Sequence, residues 1–382
     1  MFQSKPGVAE PLADYRLDGT TMRYSLFVPR LYNLCRQLGM ERGLIVPSRA
    51  FCSDESQGYP VILIGKHFGT FPFNHGQVGG IVATDRHGPH AHHGQDMVII
   101  QASHVGYEAE TGTFGIYRRL QTADKVCTPG CGKIAAVVDW YLNQYRFAQN
   151  RMLIAREDSG PVVIIDNMLL RQNRQEGLHL ILPKVVQFDR DGQPGYVQSL
   201  STAKVFHMAR TLASRIADAL PFGARPQPIG ARLTADLFFF QRRIESDEEG
   251  VGHLERNLVR FMPEIVTAAS PPLRAATINT QVEFDRTYRT LVDEPEYRGK
   301  RLLFVAGLNI DISPTSGSIF PLTKFVPWAA FWQRPDGQGE TWEQDEVMDR
   351  LLAQDAENPD QVDLESAIHE MERVEEIPLR LP

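Results

Sequence analysis

The sequence predicts an α/β fold with a largely parallel sheet and flanking helices. Two observations lead to this prediction. Short runs rich in β-branched residues alternate with stretches of helical periodicity, and glycine- and proline-rich segments separate them. The chain of 382 residues is long enough for one large or two ordinary domains. In parallel sheets, binding sites form beyond the carboxyl ends of the strands, so polar residues after strand-like runs are the first candidates for function.

The first predicted element is a helix between Arg23 and Leu38, because apolar residues recur there at helical spacing. Gly39 can end this helix, and Pro29 leaves open whether the helix begins only at that residue. Cys35 lies among the apolar positions of the pattern. We therefore expect Cys35 to be a core residue.

The next predicted elements are short strands and two longer helices. Strand-like runs occupy residues 44–46, 61–64, 81–82, 98–100, 162–165 and 178–182. Residues 133–147 predict a helix, and residues 201–220 predict a second, amphipathic helix that Pro221 ends. This alternation of strands and helices is the pattern expected of the predicted α/β core.

The character of the chain changes after Pro221, where the proline-rich segment 222–228 is typical of a linker. We therefore predict two parts, residues 1–222 and residues 223–382, the second being a C-terminal domain or α+β extension of unknown role. The predicted elements of the second part are strand-like runs at 237–240 and 302–312, a charged stretch at 245–249, an aromatic stretch at 325–332 that buries against its own domain or a partner, and one or two solvated helices in the acidic tail from Glu340.

Charge and cysteine content restrict the possible functional classes. The net charge of −7 and a pI near 5.9 argue against a nucleic-acid-binding or anionic-membrane surface. The first residues lack the apolar core of a signal peptide, and no apolar run is long enough to span a bilayer. Four cysteines are too few for a disulfide scaffold of this size. We therefore expect a cytoplasmic protein with reduced cysteines.

Cys52, His104 and Cys131 form the most informative functional pattern. Cys52 follows the run 44–46, His104 follows the run 98–100, and Cys131 lies between glycines just before the predicted helix at 133. Two thiolates and one imidazole with an open fourth position are typical of a catalytic zinc site. Asp54 follows Cys52 by two residues and is placed to orient a zinc-bound water.

Three features of the sequence leave alternatives open. Cys127 is an alternative ligand to Cys131, although the flanking glycines and the following helix favour Cys131, because a helix N-terminus stabilises a thiolate. The histidine-rich segment 85–93 is a structural metal site, a solvated loop or a proton relay. His67 and His75 flank an aromatic segment that either forms a pocket wall or packs in the core.

Several short motifs occur in a fixed order between about residues 20 and 220. They are Cys52-Ser53-Asp54-Glu55, the aromatic–glycine segment 71–80, Ala91-His92, Ser103-His104-Val105-Gly106, Arg118-Arg119 and Gly130-Cys131-Gly132, followed by 169–172 and 204–220. As an ordered set they resemble the limiting-carbon-dioxide-inducible protein B/C family, a divergent branch related to the β-carbonic anhydrases.

The resemblance implies a β-carbonic-anhydrase-like, zinc-binding domain at residues 1–222, with Cys52, His104 and Cys131 as the zinc ligands. It also implies a homodimer or higher homo-oligomer and an aspartate–arginine dyad in which Asp54 is the acid. In ordinary β-carbonic anhydrases the arginine lies two residues after the aspartate, whereas this sequence has Ser56 at that position. Another arginine must therefore hold the aspartate, and the candidates are Arg86, Arg118 and Arg119.

The activity that the resemblance implies is the reversible hydration of carbon dioxide to bicarbonate by zinc-bound hydroxide, the reaction of a carbonate dehydratase. Carbon dioxide and bicarbonate are then the small-molecule substrates, and Phe71, Phe73 and Val105 are expected to form an apolar wall for the carbon dioxide. Two alternatives stay open. The same site can hydrolyse carbonyl sulfide or carbon disulfide, or the protein is a non-catalytic zinc-bearing assembly or regulatory protein whose C-terminal half contacts partners.

Overall fold

A computed structural model describes residues 20–82, 95–119, 126–171, 175–220, 225–244, 251–314 and 322–375. Its helices are α1 (Tyr24–Gln37), α2 (Gly58–Phe68), α3 (Gly132–Arg151), α4 (Leu182–Val185), α5 (Arg210–Arg215), α6 (Val251–Leu258), α7 (Met262–Thr267), α8 (Pro271–Asp293), α9 (Gln344–Leu352) and α10 (Leu364–Arg373). Its strands are β1 (Met22–Arg23), β2 (Ile45–Ala50), β3 (Phe73–Asn74), β4 (Asp96–Glu108), β5 (Thr113–Phe114), β6 (Ile116–Arg118), β7 (Cys127–Pro129), β8 (Met152–Glu157), β9 (Gly160–Asp166), β10 (Gly177–Leu180), β11 (Tyr196–Ser199), β12 (Ala203–His207), β13 (Gln227–Pro228), β14 (Phe238–Gln241), β15 (Leu302–Ile312), β16 (Leu322–Gln333) and β17 (Gly339–Glu343).

The chain forms two compact units, and their boundary differs from the predicted division at residue 222. The first unit combines the chain up to Cys131 with the chain from Ala276 onward, and the second unit is Gly132–Ala275. The difference arises because β15 and β16 join the sheet that β2 and β4 begin. Residues 223–382 are therefore not a separate extension, since most of them complete the first unit.

The main sheet of the first unit has eight strands, and its centre is parallel. The strand order is β1-β16-β15-β4-β2-β3, with β17 paired to β16 and β5 paired to β4. The pairs β15–β4, β4–β2 and β2–β3 are parallel, while β16 and the remaining strands add to them in antiparallel pairs. The predicted α/β fold with a largely parallel central sheet and flanking helices is thus confirmed.

Both faces of this sheet are covered, as expected for parallel strands. Side chains alternate between the faces along each strand. On β4, Val98 and Ile100 face a core that includes residues of α1, α2 and α9. Met97 and Ile99 face the opposite core, which includes Phe284 of α8. Burial on both faces explains why β4 and β15 read in the sequence as nearly continuous apolar runs.

The second unit is built around α3 and antiparallel strands. Its larger sheet has five strands in the order β11-β12-β9-β8-β13, and β10 pairs with β14 in a separate two-stranded sheet. Residues of β8, β9 and β12 form a small apolar cluster. All candidate site residues that the structure describes belong to the first unit, including Cys131, which directly precedes α3.

Most predicted elements are confirmed, and several differ from the prediction. The helices α1, α3 and α10 and the strands β2, β4, β9, β10, β14 and β15 match the predictions, and the aromatic stretch of β16 is buried within its own unit. The predicted helix α9 is present, but it is not solvated, because Val347, Met348 and Leu351 pack into the core of the first unit. The run 61–64 lies in α2 instead of a strand, because a short apolar run has no decisive period. Residues 203–207 form β12 between β9 and β11, so only the later part of the predicted helix 201–220 is helical.

A few predicted segments have other outcomes. Val82 forms only an isolated bridge with Gly76. The described end of the predicted linker, Gln227–Pro228, pairs with β8 as a strand. The charged stretch 245–249 lies outside the described residues. Among the helices that the structure describes, none combines the length and the apolarity required to cross a membrane.

Candidate metal centre

Cys52, His104 and Cys131 come together in the first unit. One ligand atom from each lies within 4.8 Å of those of the other two, and all three residues are buried. A buried set of two thiols and one imidazole at this spacing can bind a metal ion. The grouping that the sequence pattern predicted is therefore present in the fold.

His104 joins the group from within β4, and not from beyond its end as the sequence suggested. β4 is 13 residues long, and β2 pairs with it only as far as Gln101. On the other side of β4, β15 continues the pairing, and Asn309 lies opposite His104. Cys52 follows the last residue of β2 by two positions. Both residues therefore lie beyond the carboxyl end of β2, which is the usual place for a site in a parallel sheet.

A close approach between two glycines places Cys131 beside β4. A Cβ atom on Gly130 would lie only 2.2 Å from the backbone nitrogen of Gly106, so any side chain at this position would push the two segments apart. Gly130 donates its N–H to the carbonyl of Gly115 at 2.9 Å, and Gly115 donates to Gly106 at 2.8 Å. These contacts hold Cys131 next to the strand that carries His104.

The sulfur of Cys52 lies in polar surroundings. It accepts a hydrogen bond of 3.2 Å from the N–H of Gly79, whose φ of 72° is in the left-handed region that favours glycine. The side-chain amide of Asn279 on α8 holds this glycine by donating to the Gly79 carbonyl at 3.0 Å, and it also donates to the Ser103 hydroxyl at 2.9 Å. Such donors stabilise a thiolate, which is the form that binds a metal.

His104 directs one ring nitrogen to a carboxylate and leaves the other available to bind a metal. Its Nδ1 lies 2.8 Å from Oδ2 of Asp311, and both side chains are completely buried. Its Nε2 is also buried and has no hydrogen-bond partner among the described residues. Buried polar atoms are nearly always partnered, so an unpartnered imidazole nitrogen beside two thiols fits a metal ligand.

The three side chains shift one another's pKa values. Burial acts to lower the pKa of His104, but the Asp311 carboxylate and the two cysteine sulfurs together raise it well above its usual value. Contact with Cys131 lowers the pKa of Cys52 despite burial. Contact with Cys52, together with burial, raises the pKa of Cys131. The raised pKa values of His104 and Cys131 therefore favour the protonated forms of these two side chains when no metal is bound.

Metal uptake is therefore expected to release at least one proton near neutral pH, because Cys131 must become a thiolate and His104 a neutral imidazole to bind. Since its pKa is raised, the proton stays on Cys131 below and around neutrality, and metal affinity should fall as the pH falls. The expected decrease is about tenfold per pH unit for each proton displaced. Titrating the metal-free protein with zinc in weakly buffered solution, with a pH indicator, measures this release. Tight binding without proton release would contradict the assigned protonation.

Arg119 is the arginine that pairs with Asp54. Its Nη2 donates to Asp54 Oδ2 at 3.4 Å, and its Nη1 lies 3.0 Å from Glu55 Oε1. The other oxygen of Asp54 accepts a hydrogen bond of 3.3 Å from the backbone N–H of Ser56, where it caps a short 3₁₀ turn at Glu55–Gln57. Asp54 is thus held by a guanidinium and by its own turn, two residues after Cys52.

The other candidate arginines have different positions. Arg118 lies 3.3 Å from Glu110 and 3.7 Å from Glu108, measured between side-chain nitrogen and oxygen atoms. Its predicted role beside Asp54 is therefore corrected in favour of Arg119. Arg86 and the whole histidine-rich segment 85–93 lie outside the described residues.

The remaining predicted candidates do not join the group. The thiol of Cys127 donates to Glu108 Oε2 at 3.0 Å, so Cys131 and not Cys127 is the second sulfur. Cys35 is buried in the apolar core, as predicted. Phe71 and Phe73 are 65% and 49% exposed, and they therefore do not form the enclosed apolar wall that the sequence suggested. Val105 is buried.

The two histidines that flank the aromatic segment are structural. His75 Nδ1 lies 2.6 Å from the hydroxyl of Ser48, and the side chain of Asn358 lies 3.3 Å from His67 Nδ1. Burial lowers the pKa of His67 to about 4 and that of His75 to about 3. Both histidines are therefore neutral at pH 7 and serve the packing of the first unit.

Sequence reasoning missed the polar residues behind the group, above all Asp311. One signal could have identified them. In the strand-like run 302–312, Asn309 and Asp311 are polar and two residues apart, so both point to the same face of a strand that is otherwise apolar. Polar side chains at such positions are buried only when they have hydrogen-bond partners. Here Asp311 contacts His104 and Gln57, and Asn309 contacts Gln57.

Comparison with known proteins supports the fold. No protein-family model matches the sequence, and no curated protein matches it. Among solved structures, the chain is similar to a mutant of PtLCIB4, a homolog of the limiting CO2-inducible protein LCIB, with a TM-score of 0.50 and 12% identity over 85% of this chain and 93% of that chain. The limiting CO2-inducible protein LCIB itself gives a TM-score of 0.44 and 11% identity over 86% and 96% of the two chains.

The similarity to PtLCIB4 confirms, at the level of the fold, the resemblance that the ordered motifs indicated. It also extends further along the chain than the motifs do. The motifs lie within residues 20–220, whereas the structural similarity covers 85% of the 382 residues. The similarity therefore includes much of the C-terminal part of the sequence.

Proposed function

We propose that this protein is a zinc-dependent enzyme of the carbonic anhydrase type that hydrates carbon dioxide reversibly to bicarbonate. The observation that supports the proposal most strongly is the buried Cys52–His104–Cys131 group with an arginine-paired aspartate two residues after its first member. A metal group and a separately held carboxylate are the two parts that such a hydration requires.

Zinc fits the donor set better than other common metals. Two cysteine sulfurs and one histidine nitrogen match catalytic zinc sites with three protein ligands, whereas magnesium and calcium prefer oxygen ligands. Cys52, His104 and Cys131 would hold the ion. When bound, zinc would lower the pKa of a coordinated water to near 7 and so supply a nucleophile at neutral pH.

Asp54 orients the attacking water in this proposal. Its carboxylate accepts a hydrogen bond from the water, which directs a lone pair of the oxygen to the carbon of carbon dioxide. Arg119 keeps this carboxylate paired, so that Asp54 does not itself take the open ligand position. Arg119 thus replaces, from a distant point in the sequence, the arginine that ordinary β-carbonic anhydrases carry at the position of Ser56.

Arg119→Gln is expected to lower hydration activity by about 10- to 100-fold, the usual effect of removing an outer orienting partner, while the zinc content stays close to that of the wild type. Arg118→Gln is the matched control, because Arg118 is the neighbouring residue but pairs with Glu110 and Glu108. Stopped-flow measurement of carbon dioxide hydration compares the two variants. Equal activity of both variants would show that Arg119 does not hold the catalytic carboxylate.

The proposed function is tested by assaying the zinc-loaded protein for carbon dioxide hydration. We expect activity that depends on zinc and is lost with a chelator. Hydrolysis of carbonyl sulfide or carbon disulfide without hydration of carbon dioxide would move the assignment to the alternative substrates. Stoichiometric zinc without either activity would favour a non-catalytic assembly or regulatory protein.

The homodimer or higher homo-oligomer and the cytoplasmic location stay predictions.

The structure weakens one argument for the non-catalytic alternative. That alternative used the aromatic stretch 325–332 and the C-terminal half as a surface for partners. In the fold, Phe325 and Trp332 are buried in the core of the first unit, and β16 pairs with β15 in the main sheet. The aromatic residues therefore serve the unit's own packing.

A further inference from the structure

We propose that Asp311 is a positioning residue that holds the histidine ligand and the turn carrying Asp54 in one fixed arrangement. This inference rests on the proposed function, because it assigns Asp311 a role toward the same metal group. It concerns a residue of the C-terminal part of the sequence, where the ordered motifs gave no candidate.

The carboxylate of Asp311 is completely buried and has four hydrogen-bond donors around it. Oδ2 lies 2.8 Å from His104 Nδ1 and accepts from the Ser56 hydroxyl at 2.9 Å. Oδ1 accepts from the Thr323 hydroxyl at 3.1 Å. The amide of Gln57 donates to both oxygens, at 3.2 and 3.1 Å. A buried carboxylate is tolerated only with such partners, so the network is built around this one side chain.

Strand pairing fixes where this carboxylate lies. β15 runs parallel to β4, and Asp311 pairs with Gly106, two residues beyond His104. On the other side, Asp311 lies opposite Thr323 of the antiparallel strand β16. Two ladders of backbone hydrogen bonds therefore set the position of Asp311 independently of any metal, which is what a rigid support for a ligand requires.

The first consequence concerns the histidine ligand. A hydrogen bond from Nδ1–H to the Asp311 carboxylate fixes the ring orientation and leaves the lone pair of Nε2 for a metal. In the neutral, metal-bound ring the proton is then on Nδ1, and the buried Nε2, which has no hydrogen-bond partner among the described residues, is left to bind the metal. Without the carboxylate, the imidazole could rotate or bind through either nitrogen, and the metal group would lose its preformed geometry.

The second consequence concerns Asp54. Ser56 and Gln57 belong to the 3₁₀ turn that Asp54 caps, and both side chains donate to Asp311. The network then continues to Asn309, whose side-chain amide donates to Gln57 Oε1 at 2.6 Å and whose Oδ1 accepts a hydrogen bond of 2.6 Å from the Tyr24 hydroxyl. Asp311 therefore connects the ligand His104 with the turn of Asp54 through a single carboxylate.

The test on the unaltered protein is the nitrogen-15 NMR spectrum of histidine-labelled, zinc-loaded protein. We expect the His104 signals of a ring that is protonated at Nδ1 and bound to the metal through Nε2, with an Nδ1 proton that exchanges slowly with water. A metal bound through Nδ1, or an Nδ1 proton in rapid exchange, would overturn the proposal. This measurement involves no substitution and therefore no risk of misfolding.

The test by substitution compares Asp311→Asn with Asp96→Asn. Asp96 is a matched control, because it too is a buried carboxylate of the main sheet. Its partner is Arg301, at 3.3 Å, and not a residue of the metal group. We expect Asp311→Asn to lower zinc affinity by about 10- to 100-fold in competition with a chelator, and Asp96→Asn to leave it unchanged. Equal zinc affinity of the wild type and Asp311→Asn would overturn the proposal.

A third variant separates the two consequences. Ser56→Ala removes one donor to Asp311 on the side of the turn and leaves the contact with His104. We expect unchanged zinc affinity and a kcat for hydration that is about two- to tenfold lower, as the loss of one hydrogen bond implies. An unchanged kcat would overturn the role of Asp311 toward Asp54.

Zinc-loaded protein with the expected NMR signals but without hydration activity would refute the proposed function alone, because the zinc affinity and the tautomer of His104 are measured without a substrate.

Discussion

Replacing Cys131 by serine is expected to remove stoichiometric zinc from the protein, whereas replacing Cys127 by serine should retain it. Cys131 lies in the buried group with Cys52 and His104, and a serine hydroxyl is a much poorer zinc ligand than a thiolate. Removing a residue that only supports a ligand lowers metal affinity by about 10- to 100-fold. We expect the loss of zinc affinity in Cys131→Ser to be larger than this. Metal analysis after gel filtration measures the zinc content.

The control is strict because the two cysteines are only four positions apart in the sequence. The Cys127 thiol instead donates to Glu108. Cys52→Ser and His104→Ala should behave like Cys131→Ser, and Cys35→Ser should behave like Cys127→Ser if the apolar core tolerates it. Zinc that is retained in Cys131→Ser and lost in Cys127→Ser would refute the ligand assignment.

Asp54→Asn is expected to keep its zinc and to lose most of the hydration activity. An amide of the same size lacks the charge that pairs with Arg119, and it offers one acceptor atom where the carboxylate offers two. Groups that orient or transfer protons in a reaction typically contribute about 100- to 10,000-fold, so the decrease in kcat should fall in this range. Stopped-flow hydration kinetics together with metal analysis measure both quantities.

Glu55→Gln is the matched control for Asp54→Asn. Glu55 is the next residue along the chain and also contacts Arg119, but its side chain is 47% exposed compared with 11% for Asp54. We expect Glu55→Gln to retain nearly all of the activity. If Asp54→Asn were as active as Glu55→Gln, the Asp54 carboxylate would have only a structural role as the cap of its turn.

The metal group could be predicted from the sequence because each ligand carries a local signal. Cys52 and His104 follow or continue apolar strand-like runs, and Cys131 lies between glycines before a helix. Such local patterns can be recognised in the sequence, because they depend only on neighbouring residues along the chain. The resemblance to a known family then arranged these local signals into one site, and the fold agrees with it.

The supporting residues could not be found in the same way, because they depend on pairing between distant segments. Asp311 is 207 positions from His104 in the sequence, and only the parallel pairing of β15 with β4 brings them together. The predicted boundary at residue 222 failed for the same reason. Cys52, His104 and Cys131 precede that boundary, but Asp311 follows it, so a chain that ended there would lack the carboxylate beside His104.

Arg119 could be predicted from the sequence only in part. The sequence showed that Asp54 needed an arginine and named three candidates, but the choice depended on the course of the chain after β6. The strand β6 ends at Arg118, and side chains alternate in direction along a strand. Consecutive arginines therefore point to different neighbours, and Arg119 is the one that reaches the turn of Asp54.

The central claim is that Cys52, His104 and Cys131 hold a zinc ion with one open position. Zinc-edge X-ray absorption of the protein tests this claim most directly, because it reports the kind and number of atoms bound to the metal. We predict two sulfur neighbours and two lighter neighbours, one of them an imidazole nitrogen, and a single sulfur neighbour in Cys131→Ser if any zinc remains. A spectrum of the wild type with four sulfur neighbours, with none, or with only one would contradict the account.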